Sequence, residues 1–242
     1  MVMDLPAFNE ANFHRKLAYD VLSELFSKKP DETLLAKLNT EGLLAFLGEH
    51  CQCEEIMGKL ELTVKELLPG KARIKKLCDE FENIFLIPVA ETYVPPIASA
   101  FMGPDMQNGF GKNLSEKLTV IYGAFGARFL NDKADTFVFH PDHIASMFNF
   151  MSFLIEKEGL YSKQGSPDLL YDFVYGEKRF FERFIQSWVD GFLGEVQSRA
   201  SSDFYKQIAA FAKNYIESEC RLLGSLHLEE IYGTNLGESV IL

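Results

Sequence analysis

Apolar positions along this chain recur at spacings of three, four and seven, the period of helices with one buried face, and strand-like alternation is scarce. The first such segment runs from about Asn9 to Phe26, with Phe13, Leu17, Val21 and Leu25 on one face. Pro30 and Asp31 close the next connection. Asp31 is the expected N-cap of a short helix carrying Leu34, Leu35 and Leu38, because its carboxylate accepts the free N–H groups of a first turn. Thr40 is the expected cap of another short helix through Leu43, Leu44 and Leu47. Cys53 to Leu68 forms a further amphipathic segment closed by Pro69 and Gly70. A fifth helix spans about Lys71 to Phe85, with Ile74, Leu77, Phe81, Ile84 and Phe85 inward.

The pattern stops at Pro88. From there to about Lys112 the chain carries Pro88, Pro95, Pro96, Gly103, Pro104, Gly109 and Gly111. An irregular stretch longer than ~15 residues inside a compact domain is a sign of function or disorder. Helical spacing returns after Asn113, the expected cap, with Leu118, Ile121, Tyr122, Phe125 and Phe129; Asn131 to Thr136 is a polar break. The run Phe139-His140-Pro141-Asp142-His143-Ile144 then leads into a strongly apolar helix through Met147, Phe148, Met151, Leu154 and Ile155. Pro141 suits a first helical turn, where its missing N–H costs nothing. Asp142 and His143 are thus expected at a helix start beside the proline-rich loop, a polar lip on an apolar groove.

A mixed connection is expected from Gly159 to Gly176, followed by two long helices. The first buries Phe181, Phe184, Ile185, Trp188, Phe192 and Val196; the second buries Phe204, Ile208, Phe211 and Tyr215. These patterns predict an all-α protein. It is a single helical domain of about nine to eleven helices over residues 1–224, with an N-terminal portion (residues 1–130), a hinge (131–140) and a C-terminal portion (141–224). A weakly periodic tail, 225–242, follows.

Composition narrows the function. Hydrophobic residues make up 47% and charged residues 24%, as in an ordinary globular protein, and 22 phenylalanines predict an aromatic core. The formal net charge of −11, with no basic stripe, disfavours nucleic acid and favours a basic peptide. No apolar run approaches the ~18 residues of a membrane span, and Met1 to Glu10 lacks the basic n-region of a secretory signal. Cys51, Cys53, Cys78 and Cys220 read as reduced thiols, since Cys51-x-Cys53 lacks the spacing of zinc and redox motifs.

No catalytic signature is present. A phosphate loop ending at Gly111-Lys112 requires glycine at 106 and serine or threonine at 113, where the chain has Met106 and Asn113. Ser99 has no evident partner base. His140 and His143 suggest metal ligation, but His14, His50 and His227 occur singly and no Glu-x-x-His pair completes a site. Asp142 and His143 also have a structural reading, as a charge meeting the helix dipole and a ring bonded to a loop carbonyl.

Several segments, in order, carry a resemblance. They are Glu80-Phe81-Glu82-Asn83-Ile84-Phe85 followed by Pro88, and Tyr93-Val94-Pro95-Pro96-Ile97-Ala98-Ser99-Ala100-Phe101. Then come Pro141-Asp142-His143-Ile144 leading to Phe150-Met151, Trp188 with Phe192, and Phe204-Tyr205. Over about Phe13 to Glu219 the chain resembles the redox enzyme maturation chaperones of the TorD/DmsD/NarJ type, which serve molybdenum oxidoreductases.

The resemblance implies a cytoplasmic helical chaperone without catalytic activity and without a cofactor. Its partners would be the twin-arginine signal peptide and the apo form of a molybdopterin-containing oxidoreductase, held before cofactor insertion and export or assembly. The implied peptide-binding residues are Pro96, Ile97, Ser99, Phe101, Pro141, Asp142 and His143. Glu82, Glu91 and Tyr93 are supporting candidates. Ile97 stands where the family often has an aromatic residue, and Met147 where an acidic one is common. Physically, a carboxylate such as Asp142 matches the planar donor fork of arginine, and an apolar groove from Ile97, Phe101 and the exposed side of the Ile144 helix would take the leader's apolar run. The alternative is a helical-bundle metal- or cofactor-binding protein using His140 and His143. Guanine-nucleotide binding, associated with some relatives, finds no phosphate-cradling motif here. The hinge also admits domain exchange, a monomer alongside a swapped dimer.

Overall fold

The computed structural model describes residues 5–102, 114–127 and 140–226. Among them are ten α-helices and no strands, an all-α single domain. They are α1 (Leu5–Ser27), α2 (Glu32–Leu38), α3 (Leu43–His50), α4 (Glu54–Leu67), α5 (Lys71–Phe81), α6 (Leu114–Ala124), α7 (Ile144–Gln164), α8 (Pro167–Phe180), α9 (Val189–Arg199) and α10 (Asp203–Gly224). Single π-helical turns extend α5 over Glu82–Leu86 and α8 over Phe181–Ile185. The expected hinge up to residue 139, most of the tail, and Asn113, Phe129 and the glycines of 103–111 lie outside the described residues.

Central α7 lies along α1 and then against α8; α9 packs on α10, which in turn packs on α4. Ile144 through Phe148 are all buried, so α7 starts inside the core, and its exposed positions begin at Asn149. Aromatic rings fill the interior. Phe192 meets Phe26, Phe85, Phe101 and Trp188 at centroid distances of 5.7, 6.3, 5.8 and 5.6 Å. Phe150 meets Tyr122 at 4.6 Å and Phe180 at 4.7 Å.

Local signals explain most boundaries. Asp31 caps α2 as predicted, its Oδ1 accepting from Leu34 N at 2.7 Å. The α3 cap is Gly42 at φ +83°, not Thr40, and the left-handed turn suits a residue without Cβ. The connection expected between Gly159 and Gly176 shrinks to Gly165 and Ser166. Gly159 and Gly176 are helical, while Gly165 at φ +65° ends α7 and Pro167 opens α8. At Gly176 the Phe125 ring occupies the space that a side chain would take. The first of the two expected long helices is broken into α8, a π turn and α9, yet all six of its predicted apolar residues are buried. The buried face of α1 is rotated from the predicted one. Val21 and Leu25 are inside, but so are Ala18, Tyr19, Leu22 and Phe26, and Phe13 is 61% exposed, edge-on to Phe46 of α3.

Sequence reading missed a buried charge cluster. Arg15 donates from Nε and Nη2 to Glu219 at 2.8 and 2.7 Å, and also from Nη2 to Glu177. Asn12 donates to Glu158 Oε2 at 2.9 Å and accepts from Arg15 Nη1 at 3.3 Å. These five side chains tie α1 to α7, α8 and α10. Burial and the neighbouring Glu177 push the Glu158 carboxyl well above the usual range, so one guanidinium faces two carboxylates and one carboxylic acid.

Candidate functional site

Beyond the π turn the chain runs irregularly to Pro96, pinned at two places. Val94 N donates to Ile84 O at 2.7 Å, and Arg199 Nη1 at the end of α9 donates to the carbonyls of Ala90 and Tyr93 at 3.2 and 3.0 Å. Ile97 then pairs antiparallel with His143, through Ala98 N to Asp142 O and Ile144 N to Pro96 O, both 2.9 Å. This zips Pro96–Ala98 to Asp142–Ile144, and it leaves Ile97 and His143 as the close, non-hydrogen-bonded pair of the bridge. A short 3₁₀ turn, Ala98–Ala100, carries the chain on to Phe101, which rests on Trp188 at 5.8 Å and on Phe192.

Asp142 organises the junction from inside. It is 1% exposed, and its Oδ2 accepts from Ser99 N at 3.3 Å. Its Oδ1 accepts from Ser115 Oγ of α6 at 3.1 Å and faces His140 Nδ1 at 2.8 Å. Burial opposes ionisation, but hydrogen bonds from Ser99 and His140 outweigh it and hold the carboxyl below the ordinary aspartate range. The expected solvent-facing lip charge is therefore a buried, satisfied one, and His140, 67% exposed in its side chain, covers it. Pro141 lies in the turn before α7 rather than in its first turn, with its carbonyl accepting from Tyr122 Oη at 2.6 Å.

His143 is the N-cap of α7. Its Nδ1 accepts from Ala145 N at 3.1 Å, which requires a lone pair there and the proton on Nε2. Burial lowers its pKa to about 4, and the approach of His140 adds to this against the pull of Asp142. The unfolded ring binds a proton near pH 6.5, so between there and about pH 4 the unfolded chain holds more protons and stability rises with pH. This contribution, present above the unfolded pKa and lost as pH falls toward 4, is about 3 kcal/mol. His143→Asn keeps a capping acceptor that does not titrate. Urea unfolding at about pH 7.5 and 4.5 is expected to show a drop about 2–3 kcal/mol smaller in the variant.

Chemically, the junction is a frame with a half-exposed outer surface. Ile97, Ser99, Phe101 and Pro141 are partly exposed, while Pro96, Asp142 and His143 are buried. Ser115, His140 and Asp142 do not form a charge relay, because serine and aspartate both meet Nδ1, at 3.2 and 2.8 Å, leaving no ring nitrogen between them. His143 Nδ1 is committed to Ala145 N, and His140 Nδ1 faces Asp142. Among the described residues no group of three or more His, Cys, Asp or Glu side chains is placed to hold a metal ion.

Glu82 and Tyr93 stand apart from the junction. Glu82 ion-pairs with Lys29, and the Tyr93 carbonyl takes Arg199. Ile97 and His143 are paired directly by the bridge. A cavity of about 260 Å³ lies on the α5 side of the loop, lined by Asp79, Glu80, Asn83, Ile84, Thr92 and Arg199, with Lys76 and Ser201. Sequence reading missed Ser115 and Arg199, which hold the junction and the loop through long-range polar contacts that no local pattern marks. It gave Glu80 only within a motif; its carboxylate takes Ser201 N at 2.7 Å and Ser202 N at 2.8 Å, tying α5 to the start of α10.

No helix among the described residues is long and apolar enough to cross a membrane. No curated protein matches the chain. The family model described as nitrate reductase delta subunit matches residues 41–194, a span that contains the proline loop, the His140–His143 junction and Trp188. With well over half of its 242 residues inside that match, the chain belongs to the nitrate reductase delta subunit family, a family of redox enzyme maturation chaperones.

Proposed function

We propose that this chain is a non-catalytic cytoplasmic chaperone that binds the twin-arginine signal peptide, and with it the apo form, of a molybdopterin-containing oxidoreductase. The supporting observation is the zipped junction, which sets Ile97, Ser99 and Phe101 beside His140 and Pro141 over a buried ionised carboxylate. The apolar run of the leader rests on Ile97 and Phe101 and supplies most of the affinity by burial. An arginine reaches Asp142 by taking the place of the exposed His140 ring at Oδ1, where its planar fork satisfies the oxygen that imidazole leaves. The acidic surface, net −11, draws the basic leader in.

Calorimetric titration with a leader peptide carrying paired arginines is expected to saturate at one peptide per chain. A leader with both arginines replaced by lysine binds about tenfold more weakly, since an ammonium group lacks the planar donor fork of guanidinium. Absence of saturable binding to the arginine leader sinks the proposal.

A further inference from the structure

Cys51 and Cys53 meet at the turn between α3 and α4, both 5% exposed. The turn is a Schellman ending, with Gln52 N to Glu49 O at 3.3 Å and Cys53 N to Gly48 O at 2.8 Å. Its left-handed position holds Gln52 at φ +54°, the one non-glycine residue with positive φ among the described residues. The bend draws the two cysteines closer than the ~7 Å of an extended tripeptide, within the Cα separation a disulfide spans. Gly48 lets α4 come close behind them, a Cβ there standing 3.1 Å from Glu54 Cα.

The two sulfurs are not equivalent. Interaction with Cys51 lowers the Cys53 pKa against the effect of burial, while interaction with Cys53 and burial push Cys51 up. Cys53 is also the N-cap of the fourteen-residue α4, where a thiolate meets the positive helix end. The other two cysteines are separately engaged: Cys78 donates to Pro30 O at 3.0 Å, and Cys220 accepts from Gln186 Nε2 at 3.1 Å.

We propose that Cys51 and Cys53 form a dithiol modification site that exchanges with low-molecular-weight disulfides such as oxidised glutathione. The Cys53 thiolate attacks one sulfur of the small disulfide, forming a mixed disulfide and releasing one thiolate. The Cys51 thiol then loses its proton and attacks Cys53 Sγ, closing the intramolecular disulfide and releasing the second thiolate. The chain gives up two electrons and two protons, and the small disulfide becomes two thiols. Cys53 is the entry point and Cys51 the resolving thiol.

The test incubates the full-length native protein with glutathione mixtures of increasing oxidised fraction, acid-quenches, and labels remaining thiols with maleimide for intact-mass and peptide analysis. Two thiols are expected to disappear together, in a cross-linked peptide joining Cys51 to Cys53. Cys51→Ser is expected to stop at a glutathione adduct on Cys53, and Cys53→Ser to slow modification of Cys51 by about tenfold or more. Because either serine can disturb folding, phenylarsine oxide, which bridges paired thiols, is applied to the unmodified protein. One arsenical per chain, shielding Cys51 and Cys53 from maleimide, is the expected result. The proposal is overturned if the pair stays reduced while Cys78 or Cys220 takes up glutathione, if Cys53→Ser leaves Cys51 oxidation unchanged, or if the arsenical fails to shield the pair.

Discussion

Arg15→Met is expected to lower stability by about 3–5 kcal/mol, because it strands carboxylates that Arg15 neutralises in the interior. Glu177 and Glu219 are 0% and 2% exposed, and each takes a charged hydrogen bond from Arg15. Methionine matches the length of the arginine stem but supplies neither donor nor charge. Glu158→Gln is the instructive contrast. Burial holds Glu158 in its neutral acid form, so the amide keeps the acceptor for Asn12 Nδ2 and a donor toward Glu177 without a proton to lose. In the unfolded chain Glu158 ionises near pH 4.3, so above that pH the folded state holds the extra proton and wild-type stability is drawn down as pH rises. Glu158→Gln removes that slope and is expected to be neutral or stabilising at pH 7 to 8. Urea unfolding of the three proteins across pH separates these outcomes; equal losses for Arg15→Met and Glu158→Gln would contradict the charge assignment.

Phe192→Ala is expected to cost about 3–5 kcal/mol, the range of a large cavity in a packed core. Phe192 is fully buried and bridges α1, the π turn after α5, the proline loop and α9, through Phe26, Phe85, Phe101 and Trp188. Its loss also removes the floor beneath Phe101. Trp188 is the sole tryptophan, so its emission reports on this contact without ambiguity. Urea unfolding is expected to show the lower stability, with emission shifted to the red in the folded baseline. An unshifted folded baseline would mean that Phe101 keeps its seat without Phe192.

The helices were legible because their causes are local. Asp31 before Leu34, Leu35 and Leu38 predicts α2 together with its cap, and the apolar series from Ile144 predicts α7. Errors arose where one residue type has two uses. Gly159 and Gly176 read as loop residues, yet one is an ordinary helical position and the other makes room for Phe125; only Gly165, next to Ser166 and Pro167, ends a helix.

The candidate site was legible as a juxtaposition. The order of motifs pointed to the proline loop and to Asp142-His143, and a backbone bridge joins them. Burial was not legible, because it depends on Ser99 and Ser115, 43 and 27 residues away from Asp142. The Arg15 cluster joins residues up to 204 apart. Its only trace in the sequence is a carboxylate at positions such as Glu158 and Glu219, where the helix period calls for an apolar side chain.

The central claim is that a leader peptide lies on the surface framed by the proline loop and the His140–His143 junction. Ile97→Asp tests it most directly, since Ile97 is partly exposed and the bridge is hydrogen-bonded through its neighbours Pro96 and Ala98. In the same calorimetric titration with the arginine leader, the variant is expected to bind about tenfold more weakly or worse, with unfolding stability within about 1 kcal/mol of the parent. Unchanged affinity in a folded Ile97→Asp protein would place the peptide elsewhere and contradict the account.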